Sequence, residues 1–119
     1  MDERIEKAFE VANYMATLSN QRRLAAEEFN QKIVYYINGA TFKITPELIG
    51  FVSVMADRPF DLILLDSNNF PVKIENPKKF LADIIAVYDT TSKDYLAKIT
   101  AIKSKRKIAD MVDLWQLEQ

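Results

Sequence analysis

The side chains that enzymes use most often are scarce in this chain. Its 119 residues include no histidine, no cysteine and only two glycines. The usual general base, the commonest metal ligand and the thiolate nucleophile are therefore absent, and glycine-rich phosphate loops need more glycine than the chain holds. We predict that the protein is not an enzyme and that it has no catalytic residue, no metal site and no cofactor.

Carboxylates are the remaining groups that could do chemistry, and three of them occur close together in the middle of the chain. Asp57, Asp61 and Asp66 surround a predicted hairpin, and a hard cation could use their oxygens as ligands. Aspartates are also typical of strand ends and turns. The second interpretation is favoured, because the segment after Asp66 lacks the glycine and the distal glutamate of a calcium loop.

The one concentrated charge feature is a basic run formed by Lys103, Lys105, Arg106 and Lys107, with Lys98 before it. Bases near the C-terminus of a helix complement the helix dipole and stay solvated. Two alternatives remain open, which are contacts to nucleic-acid phosphates and contacts to an acidic protein partner. Interleaved aromatic residues would favour binding to single-stranded nucleic acid, and the run has none.

An aromatic and aliphatic cluster follows the basic run. It contains Leu114, Trp115 and Leu117, and Trp115 is the chain's only tryptophan. The cluster could pack into the core of its own domain, or it could insert into a groove on another protein, as aromatic anchors do. These three residues are the candidate partner-binding residues.

Composition predicts a single globular domain over residues 1–119. Hydrophobic residues make up 49% of the chain and charged residues 28%, as in ordinary soluble proteins. The net charge of −1 gives no global field that favours nucleic acid or an anionic membrane. No apolar run reaches the roughly 18 residues of a membrane helix, and the first residues do not resemble a secretory signal. We expect a cytoplasmic protein with no membrane partner.

A long helix is predicted at each end of the chain, over residues 1–31 and 76–113. The second begins with Asn76 as N-cap and Pro77 at the first helical position, and it could break near residues 89–92, where short polar residues compete for backbone hydrogen bonds. Each helix repeats a seam at spacings of four and three, through Val11, Met15, Leu18, Arg22, Ala25 and Phe29 in the first and Leu81, Ile85, Tyr88, Ser92, Tyr95, Ile99 and Ile102 in the second.

These seams have two consequences. Arg22 lies inside the first seam, so its side chain either extends into solvent or fixes the register through a polar contact. Helices of this length exceed the diameter of a compact globule of this size. We therefore predict that they pack antiparallel and that the chain forms a homodimer or a higher oligomer.

Two β-hairpins and a short helix are predicted between the long helices. The first hairpin covers residues 32–44 and turns at Asn38-Gly39, the strongest short-range hairpin signal. A short helix follows over residues 45–57. The second hairpin covers residues 61–74, with a turn at Asn68-Asn69 that pairs Leu65 with Val72 and Ile63 with Ile74. The predicted fold class is α+β.

Two resemblances add to this interpretation. The segments NYMATLSNQRR (13–23), YYINGATF (35–42), TPELI (45–49) and IKSKR (102–106) resemble a family of small uncharacterised proteins from contractile-tailed phages of marine cyanobacteria. That resemblance implies a phage-encoded protein that acts in the host bacterial cytoplasm or in particle assembly, and it implies no site residues. Separately, the order of elements is similar to that of prefoldin alpha-type subunits, chaperones that hold non-native chains, but this is an analogy of topology alone.

Together these observations predict a non-enzymatic, phage-encoded protein-interaction or assembly factor, either an adaptor or a chaperone-like module. Its surfaces would be the helical seams, a hairpin face or the C-terminal cluster, and its partners a second copy of itself and an unidentified host or phage protein. The alternative is a nucleic-acid-associated protein that uses the basic run on phosphates.

Overall fold

The computed structural model describes residues 2–117, with side chains for residues 2–105. It contains α1 (Glu3–Lys32), β1 (Val34–Ile37), β2 (Ala40–Lys43), α2 (Pro46–Met55), β3 (Leu62–Leu65), β4 (Pro71–Ile74) and α3 (Pro77–Leu117). Each hairpin is a two-stranded antiparallel sheet of its own. The predicted α+β fold is confirmed, with two long helices at the ends and two hairpins and a short helix between them.

Backbone contacts divide the chain into two compact units. The first unit contains the residues up to Glu28 and those from Asp94 onward, and the second contains Phe29–Lys93. In the first unit, Leu18 and Ala25 are buried, while Val11 and Met15 are half-buried. Arg22 is exposed, which favours the interpretation that its side chain extends into solvent.

The first hairpin has the predicted turn and register. Asn38 and Gly39 have φ angles of 51° and 77°, the left-handed values that a two-residue hairpin turn requires. Ile37 pairs with Ala40 and Tyr35 pairs with Phe42. Because side chains alternate along a strand, these residues face the core, while Tyr36 is 70% exposed on the opposite face.

The two glycines of the chain should respond in opposite ways to replacement by alanine. Gly39 has a φ of 77°, so Gly39→Ala should lower the free energy of unfolding by about 1 kcal/mol. Gly50 lies inside α2 with open space where a Cβ would be, so Gly50→Ala should raise it by about 0.5–1 kcal/mol. Urea unfolding of the two variants measures both changes, and two changes of the same sign would contradict this account.

The second hairpin differs from its predicted register by one residue. Asp66 N donates to Phe70 O at 2.9 Å, which closes a three-residue loop over residues 67–69 instead of a two-residue turn at Asn68-Asn69. The Asp66 carboxylate accepts hydrogen bonds from the N–H groups of Asn68 and Phe70, both at 2.9 Å, and Asn69 has a φ of 63°. The predicted pairs were therefore wrong, because Leu65 pairs with Pro71 and Ile63 pairs with Lys73.

Both helices that follow a hairpin begin with a side-chain cap. Thr45 Oγ1 accepts a hydrogen bond from Leu48 N at 3.1 Å, with Pro46 at the first helical position. Asn76 Oδ1 accepts one from Lys79 N at 3.1 Å, ahead of Pro77 at the start of α3. These contacts satisfy amide groups that have no partner within the helix.

Helix α3 continues through residues 89–92, where the short polar side chains could have broken it. Ser92 Oγ donates to Tyr88 O, one turn earlier, at 2.7 Å. The hydroxyl thus has a partner within its own helix, an arrangement that a helix tolerates at a small cost in stability.

The core of the second unit combines residues from both hairpins, α2 and the start of α3. Phe80 and Ile84 of α3 are 1% and 0% exposed. The Phe80 ring meets the edges of Tyr35 and Phe42 with ring centroids 5.5 Å apart in each case. The predicted α3 seam was wrong at Ile85, which is 44% exposed, because Phe80 and Ile84 define the face that packs on the hairpins.

One polar contact joins the first hairpin to α3. Tyr35 Oη donates to Asp83 Oδ2 at 2.6 Å. This hydrogen bond, with some desolvation, raises the pKa of the Tyr35 hydroxyl above its usual value of 10.0. Because the folded state holds this proton more tightly than the unfolded state, the contribution to stability is present below about pH 10 and is lost as the pH rises further.

Candidate interaction surface

The second hairpin is apolar on both faces, although only one face meets the core. Leu62, Leu64 and Ile74 are buried. The alternation of side chains places Ile63 and Leu65 on the other face, beside their cross-strand partners Lys73 and Pro71. Antiparallel sheets with one solvated face usually carry polar residues there, so two large aliphatic residues at these positions need a separate explanation.

Four large apolar side chains on or beside this hairpin are exposed. Ile63 and Leu65 are 59% and 63% exposed, and the flanking Phe60 and Phe70 are 63% and 65% exposed. We call these four residues the hairpin surface. Their summed exposed area is roughly 500 Å², and large exposed apolar areas often mark interaction sites; Ile63 and Leu65 share one face of β3.

The charged groups around the hairpin surface have partners within the same unit. Lys73 Nζ lies 3.9 Å from Asp61 Oδ2, and Lys78 Nζ lies 3.9 Å from Asp57 Oδ1. All four side chains are largely exposed, so these pairs add little stability. Each pair places a positive and a negative charge side by side, so the border of the hairpin surface carries little net charge.

The three aspartates considered as cation ligands have other local contacts. Asp57 and Asp61 pair with lysines, and Asp66 accepts hydrogen bonds within its own loop. Among the described residues, no three acidic side chains form a group that could hold a metal ion. The three positions mark the ends of strands and a turn.

Other exposed apolar side chains occur elsewhere in the second unit. Tyr36 projects from the first hairpin, and Phe51 and Val54 of α2 are 51% and 57% exposed. Tyr36 pairs with the polar Thr41, whereas Phe51 and Val54 lie one turn apart on the same face of α2. Ile63 and Leu65 differ from these positions in that both alternate outward along one strand and both are more than half exposed.

In the first unit, Lys98 is held by two carboxylates. Its ammonium group bonds Glu28 of α1, and it bonds Asp94 of α3 at 2.9 Å. These bonds raise the pKa of Lys98. Together with Leu24 and Ile102, the Glu28–Lys98 pair lines a groove of about 350 Å³, so this groove is mixed in polarity and less apolar than the hairpin surface.

The other candidate residues are only partly within the described part of the chain. Lys103 and Lys105 are exposed, as a phosphate-binding or a purely solvated run requires. The side chains of Arg106 and Lys107 lie outside the described residues. The same holds for the partner-binding candidates Leu114, Trp115 and Leu117, so for all of these the sequence-based interpretation stays a prediction.

The sequence interpretation named a hairpin face among three candidate surfaces but did not identify these four residues, although a signal for them exists. Residues 62–65 read Leu-Ile-Leu-Leu, and Phe60 and Phe70 flank the hairpin. An unbroken apolar run in a strand indicates apolar residues on both faces. An antiparallel two-stranded hairpin cannot bury both of them against a single core.

Comparisons with known proteins do not add a family to these observations. No protein-family model matches the chain, and neither the curated proteins nor the solved structures give a match. Within the described residues, no helix combines the length and the apolar character needed to cross a membrane.

Proposed function

We propose that this protein is a non-enzymatic interaction or assembly factor, either an adaptor or a chaperone-like module, that binds an apolar segment of another polypeptide on the hairpin surface. The exposure of Phe60, Ile63, Leu65 and Phe70 is the observation that carries the proposal. The resemblance to proteins of contractile-tailed cyanobacterial phages supports a phage-encoded factor in the host cytoplasm or in the particle. Self-association as a homodimer or higher oligomer belongs to the same proposal.

The chemistry of the surface indicates the kind of segment it would bind. All four of its residues are apolar, and two of them are aromatic. The centres of protein–protein interfaces are enriched in aromatic side chains and depleted of charged ones. The nearest charged groups, Asp61 and Lys73, already face each other. We therefore expect a partner segment rich in aliphatic or aromatic residues and poor in charge.

The alternative function, binding to nucleic acid through the basic run, has less support. Lys98, next to that run, is engaged by Glu28 and Asp94, which leaves Lys103 and Lys105 as its exposed members in the described part of the chain. Phosphate binding through the run would weaken steeply with salt, because each neutralised phosphate releases counterions. Apolar binding would not weaken in this way.

Replacement of Ile63 and Leu65 by serine should abolish apolar binding without unfolding the protein. Both residues are more than half exposed, so their loss should change the free energy of unfolding by no more than about 1 kcal/mol in total. The measurements are the fluorescence of an apolar dye and the protection of a chemically unfolded model protein against aggregation. We expect at least a fivefold loss of both signals.

Tyr36→Ser is the matched control for this experiment, because Tyr36 is 70% exposed on the other hairpin. It should leave both signals unchanged. An equal loss of dye fluorescence and aggregation protection in the control and the double variant would contradict the proposal. So would the absence of both signals in the original chain. A chain that ends at residue 110 tests Leu114, Trp115 and Leu117 in the same assays, and loss confined to that chain would move the binding site to the C-terminal cluster.

A further inference from the structure

The turn of the first hairpin places an exposed asparagine directly before an exposed glycine. Asn38 and Gly39 are the two central residues of this turn, and both are exposed. In the described part of the chain, no hydrogen bond engages the Asn38 side-chain amide or the Gly39 N–H group. Apart from its chain neighbours, no atom lies within 4 Å of the position that a Cβ on Gly39 would occupy. A side-chain amide carbon and an unengaged backbone nitrogen are therefore neighbours, with open space around them.

The other asparagines of the chain lack an unengaged backbone nitrogen after them. Those inside α1 are followed by residues whose N–H groups belong to the helical ladder. In the second hairpin, the N–H groups of Asn69 and Phe70, each preceded by an asparagine, donate to the carbonyl and the carboxylate of Asp66, both at 2.9 Å. The asparagine before Pro77 is followed by no N–H group at all. Among the described residues, Asn38 alone has a free N–H group next to it.

The backbone of the turn is already close to the conformation that ring closure needs. A five-membered ring between Asn38 Cγ and Gly39 N fixes the ψ angle of residue 38 near its value in a type II′ turn, in which the φ angle of that residue is positive. Asn38 has a φ of 51°, so rotation of the peptide plane that follows it is sufficient, and glycine accepts the φ values of either turn type. Types I′ and II′ are both two-residue hairpin turns, so the pairing of Ile37 with Ala40 is kept.

We propose that Asn38 is a site of self-modification, at which the chain deamidates through a succinimide formed with Gly39. Solvent hydroxide removes the Gly39 amide proton, the nitrogen attacks Asn38 Cγ, and the Cγ–Nδ2 bond breaks as the leaving nitrogen takes up a proton and departs as ammonia. Water then opens the ring. Its attack at Cγ gives aspartate, and its attack at the backbone carbonyl carbon of residue 38 gives isoaspartate. Either product carries one more negative charge than the original chain at neutral pH.

The two products should affect the first hairpin differently. Asp-Gly fits the same turn type as Asn-Gly, so the aspartyl chain should unfold at nearly the same urea concentration as the original chain. Isoaspartate adds one carbon to the backbone of the turn and disturbs the pairing of Ile37 with Ala40, which belongs to the core. The isoaspartyl chain should therefore unfold at a lower urea concentration. This modification stands whether or not the proposed function of the second hairpin is correct.

Incubation of the folded chain in buffer, followed by trypsin digestion and mass spectrometry, locates the reaction. Cleavage after Lys32 and Lys43 releases residues 33–43, in which Asn38 is the only asparagine. We expect this peptide to gain about one dalton with time and to separate into an aspartyl and an isoaspartyl form, while the peptides that contain the other asparagines stay unchanged. The rate should rise about tenfold per pH unit, because the reacting nitrogen must lose its proton.

Two controls separate the effect of the turn from that of the dipeptide. A synthetic peptide of residues 33–43 gives the rate without the fold, and the folded chain should react at a comparable rate because ring closure keeps the hairpin register. Asn38→Gly, which permits both positive φ angles of the turn, should gain no charge in anion-exchange chromatography over the same period. The absence of reaction at Asn38 in the folded chain, whether or not the peptide reacts, would overturn the proposal. So would equal reaction at the other asparagines, or an aspartyl product with no isoaspartate.

Discussion

Replacement of Ile84 by aspartate should unfold the second unit at neutral pH, whereas the same replacement at the neighbouring Ile85 should leave it folded. Ile84 is 0% exposed and Ile85 is 44% exposed. A carboxylate at residue 84 would lie among apolar side chains without a partner, which costs about 3–5 kcal/mol or more. That is a large part of the free energy of unfolding of a small protein.

Urea unfolding followed by circular dichroism compares the two variants directly, since they differ by one position on the same helix. The Ile84→Asp chain should be largely unfolded without denaturant. The Ile85→Asp chain should keep the urea midpoint of the original chain, apart from the small change that is typical of a surface substitution. If Ile85→Asp were equally damaging, Ile85 would have to be covered by another molecule, which light scattering of the original chain would reveal.

Phe80→Ala should lower the free energy of unfolding by about 3–5 kcal/mol, because it leaves a cavity at the centre of the second unit. The ring is 1% exposed and contacts Tyr35 and Phe42 edge to face. Removal of the ring deprives both of these partners of their aromatic contact. The change is measured from the urea midpoint and slope in a two-state fit.

Phe70→Ala is the matched control, because it removes the same ring from a position that is 65% exposed. Its effect on the free energy of unfolding should stay within about 0.5 kcal/mol. The two phenylalanines would then separate cleanly into a core residue and a surface residue. A large loss of stability in Phe70→Ala would show that the hairpin surface is covered in the native protein.

Local turn and cap chemistry made much of the fold predictable from the sequence. Asn38-Gly39 permits few turn geometries, so the register of the first hairpin followed from two residues. Thr45-Pro46 and Asn76-Pro77 likewise marked the starts of α2 and α3, since a capping oxygen followed by proline is compatible with little else. Each of these signals acts over a few residues and needs no tertiary information.

The errors arose where two local solutions were nearly equal. Asn68-Asn69 could form a two-residue turn, but the Asp66 carboxylate stabilises a three-residue loop by accepting two backbone hydrogen bonds. In the same way, Ile84 and Ile85 are chemically identical neighbours, so periodicity alone could assign either one to the core. Packing of Phe80 against the first hairpin decides between them, and that contact joins residues far apart in sequence.

The candidate site depends on the same one-residue difference. The predicted register would have placed Ile63 and Leu65 opposite Ile74 and Val72, on a single core-facing side. The observed register turns them outward. The apolar run at residues 62–65 indicates apolar residues on both faces of the strand, but the register alone decides which of them point outward, because all four read equally well as core.

The loop hydrogen bonds of the Asp66 carboxylate thus have an evolutionary consequence. A substitution of Asp66 that removed both of these hydrogen bonds would favour the two-residue turn at Asn68-Asn69 and exchange the two faces of β3, so that Ile63 and Leu65 would point inward and Leu62 and Leu64 outward. Every amino acid of the strand would be unchanged. In relatives of this chain, a change at this one loop position would therefore alter the exposed chemistry more abruptly than most substitutions within the strand itself.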